Sequence, residues 1–442
     1  MTQQLQDLGR QAKQFYGEER YEEAGKLYHQ LWDEREDAFS GGRYACCLRK
    51  CGYPDHALTV ARQVAQEHPD DIYVQREVVW ALYDAEFKPA KERSDLGSLI
   101  RIGQEILNLT DEELPTRLVS FAVVGQAKDK MRWDVVSAWC DRLDPGQLST
   151  ERREMGGRRV ISELEQWYFA KVKALVKLER WEDARQWAME ATQSFPRNRH
   201  FARWGALALA GLGQTSEAVG EVEALVQRGR PEWYLLKDLA ELRLRDDQPE
   251  EAYVTACRAA LAPGEDKAKV SLYLLIGEIA LALEQISVAA RHILLSRLVR
   301  EREGWSVPRE VVQLESEIQS AREEAGGARV DLPEDISKLK ARCRQTWEKV
   351  VPSELRSRPK RERRRHSARP VVSPDQPFQT GRIKTYLDDR GFGFIIPDDG
   401  GDDIFFHITN VVGIEQPERD MLVEYQLTET PKGLNAVNVR LA

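Results

Sequence analysis

The sequence predicts a multidomain chain: an all-α solenoid of helical repeats followed by a small five-stranded all-β barrel. Three observations lead there. Alanines recur at Ala24, Ala57, Ala184, Ala218 and Ala252, with separations of 33, 34 and 34 within two runs. Five short alternating apolar runs crowd into residues 378–442, and a proline- and arginine-rich stretch divides the two regions. A period near 34 marks a repeat built as helix, turn and helix, which cannot bury its apolar face alone and must stack on its neighbours. The expected boundaries are helical repeats over 1–305, capping helices over 306–350, a basic linker over 351–377 and the barrel over 378–442.

Composition narrows the function classes. A chain of 442 residues with 42% hydrophobic content has material for two or three cores. Its opening, "MTQQLQDLGRQAKQF", is polar, and no later stretch reaches eighteen apolar residues without charge, so neither secretion nor membrane spanning is signalled and a cytoplasmic location is expected. Six cysteines (Cys46, Cys47, Cys51, Cys140, Cys257 and Cys343) are too few and too irregular for a disulfide framework and are expected as reduced thiols. The net charge of -8 is unevenly placed: residues 351–377 hold eight Lys/Arg against three Asp/Glu, while 378–442 hold six against eleven. The first 350 residues therefore carry -8 by themselves.

The repeat register extends beyond one column. Twelve residues before the alanine, where two helices must approach closely, stand Ala12, Ala45, Ala206 and Ala240; twelve after it, Pro69 and Pro196 end the unit. Tyr21, Trp181 and Pro249 sit three before it, each followed by acidic residues that suit a helix start. Gly277 with Ala289 keeps the spacing in a looser copy, and Trp133 with Val136 suggests another. Residues 75–165 interrupt the period, so longer helices or an insertion are expected there. Over 1–305, and most clearly over 165–262, the pattern resembles the tetratricopeptide repeat family. That resemblance implies a protein or peptide ligand for the solenoid. "PREVVQLESEIQSAREEAG" and "PEDISKLKARCRQTWEKVV" follow as two capping helices.

The linker, "PSELRSRPKRERRRHSARPVVSPDQP", has five prolines and no apolar periodicity. Arg356, Arg358, Lys360, Arg361, Arg363, Arg364, Arg365 and Arg369 could displace counterions from a nucleic-acid backbone in a sequence-blind, salt-dependent contact. The same run could instead be a solvated spacer, or could pair with the acidic repeats.

The barrel runs are "TGRIKTY", "GFGFII", "DIFFHI", "MLVEYQLTE" and "NAVNVRL", a set that fits a closed barrel of the OB type. Alternation puts Phe392 and Phe394 on one sheet face, and Phe405 and His407 likewise share a face, opposite Ile404, Phe406 and Ile408. Exposed rings on a sheet are suited to stacking by nucleobases. "GRIKTYLDDRGFGFIIPDDGGDDIFFH" followed by "PKGLNAVNVRLA" resembles a bacterial-type cold-shock domain over its full length. The resemblance implies single-stranded RNA or DNA binding, with Phe392, Phe394, Phe405 and His407 as stacking residues and Lys384 and Arg390 as phosphate or base contacts. Tyr386 fills a position the family usually gives to phenylalanine and joins the binding set. The family's platform tryptophan corresponds to Thr385, the aromatic after the histidine is Ile408, and "GIEQPERD" lacks the family's phenylalanine, so weaker binding than a complete relative is expected.

No P-loop, dinucleotide fingerprint, HExxH or GxSxG stretch occurs, and no enzyme activity, cofactor or metal is expected. "CCLRKC" with His56 lacks zinc-ligand spacing and occupies small-residue positions of the second repeat. The function expected is a non-enzymatic adaptor in which barrel and linker bind a single strand, taken as RNA, and the solenoid binds a protein. The alternative is a protein–protein scaffold with a degenerate accessory barrel.

Overall fold

The computed structural model describes residues 2–155, 158–229, 231–324, 335–355, 377–387, 391–414, 417–430 and 433–442. It separates into two compact units, Met1–Arg356 and Ser357–Ala442. The first is a solenoid of helical hairpins and the second a closed five-stranded barrel.

Each hairpin of the solenoid turns the same way for the same reason. Glu19, Gly52, Ser94, Met131, Glu179, Gly213, Asp247 and Glu284 take left-handed backbone, with φ between 54° and 87°. The residue after each donates its amide to the carbonyl five positions back, over 2.8–3.1 Å, from Arg20 to Phe15 through Gln285 to Ala280. This is a Schellman closure, which satisfies carbonyls that the end of a helix would otherwise leave unpaired. Five residues beyond each left-handed residue lies a fully buried position: Ala24, Ala57, Leu99, Val136, Ala184, Ala218, Ala252 and Ala289. Its mate twelve residues earlier is Ala12, Ala45, Phe87, Val124, Val172, Ala206, Ala240 or Gly277, and the first seven of these are buried. At Gly277 a Cβ would stand 2.5 Å from the Ile293 side chain, so the two helices touch there. The hairpins pair Thr2–Gly17 with Tyr21–Arg35, Ala38–Lys50 with Pro54–Glu67, Glu113–Asp129 with Trp133–Cys140, Glu163–Lys177 with Trp181–Ser194, Arg199–Gly211 with Thr215–Gln227, Trp233–Arg245 with Pro249–Leu261, and Val270–Ala282 with Ile286–Arg302.

The third hairpin departs from this pattern. Its first arm, Ile72–Leu82, continues through one π-helical stretch, Tyr83–Phe87, into Lys88–Glu92 before Leu96–Leu109 returns. The stretch at 75–165 expected to hold longer helices or an insertion holds both, and the insertion contains a feature sequence reasoning did not name. β1 (Arg153–Met155) and β2 (Arg158–Val160) form a two-stranded antiparallel ribbon. The Gly156-Gly157 dipeptide between them is a hairpin signal.

Helices Arg309–Glu324 and Ile336–Val350 follow the last hairpin. The second docks through Trp347, which is 2% exposed, lies parallel to the Tyr273 ring at 5.9 Å and donates its indole N–H to His292 Nε2 at 2.8 Å. Lys340 adds an ion pair to Asp266 at 2.7 Å.

In the second unit β3 (Gln379–Leu387), β4 (Phe392–Pro397), β5 (Ile404–His407), β6 (Leu422–Thr430) and β7 (Gly433–Leu441) close in the order β3-β4-β5-β7-β6. Every pairing is antiparallel except β5 with β7. Closure removes exposed sheet edges, which lets a core as small as Ile383, Ile395, Ile404, Phe406, Val423, Tyr425, Ala436 and Val439 suffice.

Candidate nucleic-acid interface

Register assembles the ring face. Phe392 lies directly opposite His407 and Phe394 opposite Phe405 across β4 and β5, so the four side chains form a two-by-two grid on one face. All four are half-buried, neither sunk in the barrel nor free of one another. Phe392 and Phe405 have ring centroids 5.5 Å apart at 32°, while Phe394 meets Phe392 and Phe405 edge-on at 6.2 and 5.9 Å.

Beneath the grid, Gly393 opposes Phe406. A Cβ at Gly393 would stand 2.3 Å from the Thr385 carbonyl oxygen and 2.6 Å from the Phe406 ring, so only glycine lets that buried ring fill the floor of the site. The backbone N–H of Thr409 donates to His407 Nδ1 at 3.3 Å, and the Thr409 hydroxyl lies 3.0 Å from the same nitrogen, which fixes the orientation of the ring.

The other expected contacts are placed differently. Lys384 Nζ is held by Asp403 Oδ2 at 2.6 Å, both side chains part-exposed, so this cation is already paired. Tyr386 was expected with the binding set and instead faces the barrel interior: it lies opposite Gly393, and its ring stacks on Phe406 at 6.1 Å and 14°. The cause is a bulge between Ile383 and Thr385, which inserts one residue and inverts the alternation beyond it. Thr385 is thereby turned onto the ring face, opposite Phe394. Arg390 and the linker cations Arg356, Arg358, Lys360, Arg361, Arg363, Arg364, Arg365 and Arg369 lie outside the described residues.

Three apolar residues extend the face beyond those singled out from sequence. Ile396 continues the Phe392–Phe394 alternation and is 44% exposed. Leu387, 39% exposed, lies opposite Phe392. Leu422 is separated from Ile396 only by Arg382, which pairs with both. Period-two spacing alone reaches Ile396; Leu387 and Leu422 need the register of β3.

In the solenoid the cysteine cluster is packing material. Cys47 is 1% exposed among Ala12, Ala24, Tyr28 and Leu31, and burial pushes its thiol up to about 12. Cys46 is raised by the same cause and lies 3.2 Å from the Tyr16 hydroxyl. Thiols held protonated are poor metal ligands.

Comparison with known proteins gives the following. A model of the "Cold-shock" DNA-binding domain matches residues 379–442, and one described as a domain of unknown function, DUF7017, matches 200–329. The cold shock-like protein CspA of Stigmatella aurantiaca is 44% identical over 63 residues, 14% of this chain and 93% of that protein. A probable cold shock protein A of Mycobacterium tuberculosis is 39% identical over 62 residues, 14% of this chain and 92% of its own length. Among solved structures, a tetratricopeptide repeat protein from Parabacteroides merdae aligns over 63% of this chain and 99% of its own, at 10% identity and a TM-score of 0.30. A human IFIT1 dimer with PPP-AAAA aligns over 79% of this chain and 81% of its own, at 13% identity and a TM-score of 0.37.

Proposed function

The chain belongs, through residues 379–442, to the cold-shock domain family, and from that premise we propose that it is a non-enzymatic adaptor: the barrel and the basic linker hold a single strand of nucleic acid, RNA in preference to DNA, while the solenoid docks a protein partner. The observation that carries this reading is the outward grid of Phe392, Phe394, Phe405 and His407. Stacked bases contribute on the order of 1–3 kcal/mol each, and a grid of four rings is a surface suited to equilibrium stacking. Thr385 and Ile408, where the family carries aromatic groups, leave the barrel weaker than a complete relative, and the eight linker cations supply phosphate attraction that offsets the deficit.

The test is Phe392→Ala with Phe405→Ala in the full chain, read by fluorescence anisotropy on labelled single-stranded RNA and DNA. Two lost stacks of about 1–3 kcal/mol each predict a drop of roughly 30-fold or more with the salt slope unchanged. Unaltered affinity would remove the barrel from the binding event.

A second reading, a protein scaffold with an accessory barrel, is favoured by the Lys384–Asp403 pair and by the barrel's acidic balance of six Lys/Arg against eleven Asp/Glu. It expects no oligonucleotide binding by the intact chain and recovery of the same protein partner after the barrel is deleted.

A further inference from the structure

One part of the acidic solenoid is locally basic and ringed. Phe169, Lys173 and Lys177 lie at four-residue intervals on helix Glu163–Lys177 and so share a face. Lys128, from the first helix of the preceding hairpin, places its ammonium 5.9 Å from the Phe169 ring centre. Lys173 reaches within 5.0 Å of the Trp133 ring. From the next two hairpins come His200, 5.6 Å from Phe169, and Tyr234, whose ring lies nearly parallel to His200 at 5.3 Å and 16°. Arg203 sits 5.0 Å over Tyr234.

The charges are crowded and unmatched. Burial first, then Lys128, Lys177 and Arg203, hold the Lys173 ammonium below the ordinary lysine range. Among the described residues no carboxylate pairs with Lys128, Lys173 or Lys177. Other cations of the same helices are matched: Lys171 with Asp141 at 2.5 Å, Arg203 with Asp238 at 3.1 Å, Arg199 with Glu232 at 3.2 Å. A unit whose first 350 residues total -8 thus keeps three like charges together without counterions of its own. Their mutual repulsion is offset when an anion binds. A cavity of about 400 Å³ that shares His200 and Tyr234 with this face is lined by Arg152, Arg197 and Arg199 together with the carboxylates Glu165 and Glu232, and the buried Nδ1 of His200 has no hydrogen-bond partner.

We propose that this face of the solenoid is a second binding surface for single-stranded nucleic acid, with Lys128, Lys173 and Lys177 holding phosphates and Phe169, His200 and Tyr234 receiving bases. An acidic peptide would use the ammonium groups alone. A nucleotide strand supplies both an anion and a flat ring, and Lys128, Lys173 and Arg203 each have an aromatic neighbour. The surface is separate from the barrel grid, and the two can fail independently.

The experiment uses the full chain carrying Phe392→Ala and Phe405→Ala, with and without Lys128→Gln, Lys173→Gln and Lys177→Gln, titrated with labelled single-stranded RNA and DNA. All eleven tryptophans precede residue 350, and a strand bound at Lys173, beside Trp133, is expected to change their emission. The expected result is an emission change in the ring-substituted chain that the lysine substitutions abolish. Loss of three phosphate contacts should also flatten the salt slope by about 2 and lower affinity roughly 10-fold at low salt. The exposed Lys177→Glu alone, should the triple variant not fold, is expected to weaken binding several-fold. The proposal is overturned if the lysine variants leave emission, slope and affinity unchanged, or if an oligoglutamate peptide shifts the emission and oligonucleotides do not. An unaltered affinity on removing the barrel rings would count against the barrel reading only.

Discussion

Thr385 stands opposite Phe394 on the ring face, turned there by the bulge before it. A flat side chain introduced at that point would extend the grid, so Thr385→Trp is expected to tighten single-strand binding by about 1–2 kcal/mol, roughly 10-fold, in the same anisotropy assay. The variant would also place an indole in a barrel that has none, and quenching by the strand in excess of that in the parent chain would report contact. If Thr385→Trp leaves affinity unchanged, the strand does not cross β3. At this scale the four grid residues were legible because they lie on unbulged stretches of β4 and β5, where alternation holds. Tyr386 joined the binding set through the family position it fills, whereas one inserted residue before it turns its ring inward, and nothing in "RIKTYL" announces the insertion.

Helices show a parallel contrast. The repeats at Ala24, Ala57, Ala184, Ala218 and Ala252 were legible because close helix contact selects small residues at fixed intervals. The third and fourth hairpins keep the same left-handed turn and the same twelve-residue spacing but fill the contact with Phe87 and Leu99, or Val124 and Val136. Larger side chains there, with the π stretch Tyr83–Phe87, preserve burial while erasing the alanine signal. The last helix, Ile336–Val350, carries a pH prediction. Burial brings the His292 imidazole down from 6.5 to about 4, while Val288 O accepts from its Nδ1 and Trp347 donates to its Nε2. The native state then stays neutral where the unfolded chain is protonated, so this contribution is full above pH 6.5 and falls as pH drops towards 4. The loss is on the order of 3 kcal/mol. The protection factors of amides 336–350, taken relative to the intrinsic exchange rate at each pH, should fall between pH 7 and pH 4.5 in the native chain and lose most of that dependence in His292→Gln. The Asp266 carboxyl, held below its ordinary 3.8 by Lys340 and Tyr273 against the opposing effect of burial, adds its own loss only in stronger acid. A pH profile that survives His292→Gln would assign the effect elsewhere.

Across the whole molecule, charge is distributed by segment: -8 over the first 350 residues, then eight Lys/Arg against three Asp/Glu in 351–377, then six against eleven. This partition was readable from composition, and it predicts separable effects. Arg361→Gln, Arg363→Gln, Arg364→Gln and Arg365→Gln together should flatten the dependence of log affinity on log salt by about 3 if each meets one phosphate of a single strand. Removing barrel rings should lower affinity at every salt concentration alike. A linker variant with an unchanged slope would make the arginine run a spacer. The partition could not reveal the lysine cluster of the solenoid, because Lys128, Lys173 and Lys177 are diluted among acidic neighbours in sequence and gathered only by stacking. The eight Schellman corners bear on how such a chain can grow. Each secures its own bend by backbone alone, and the strides from one to the next range from 33 to 48 residues, the longest spanning the β1–β2 ribbon. Length is thus free to vary in the seams while the cadence within each pair of helices is conserved, so extra cargo can be spliced into a seam without putting the rest of the array out of step.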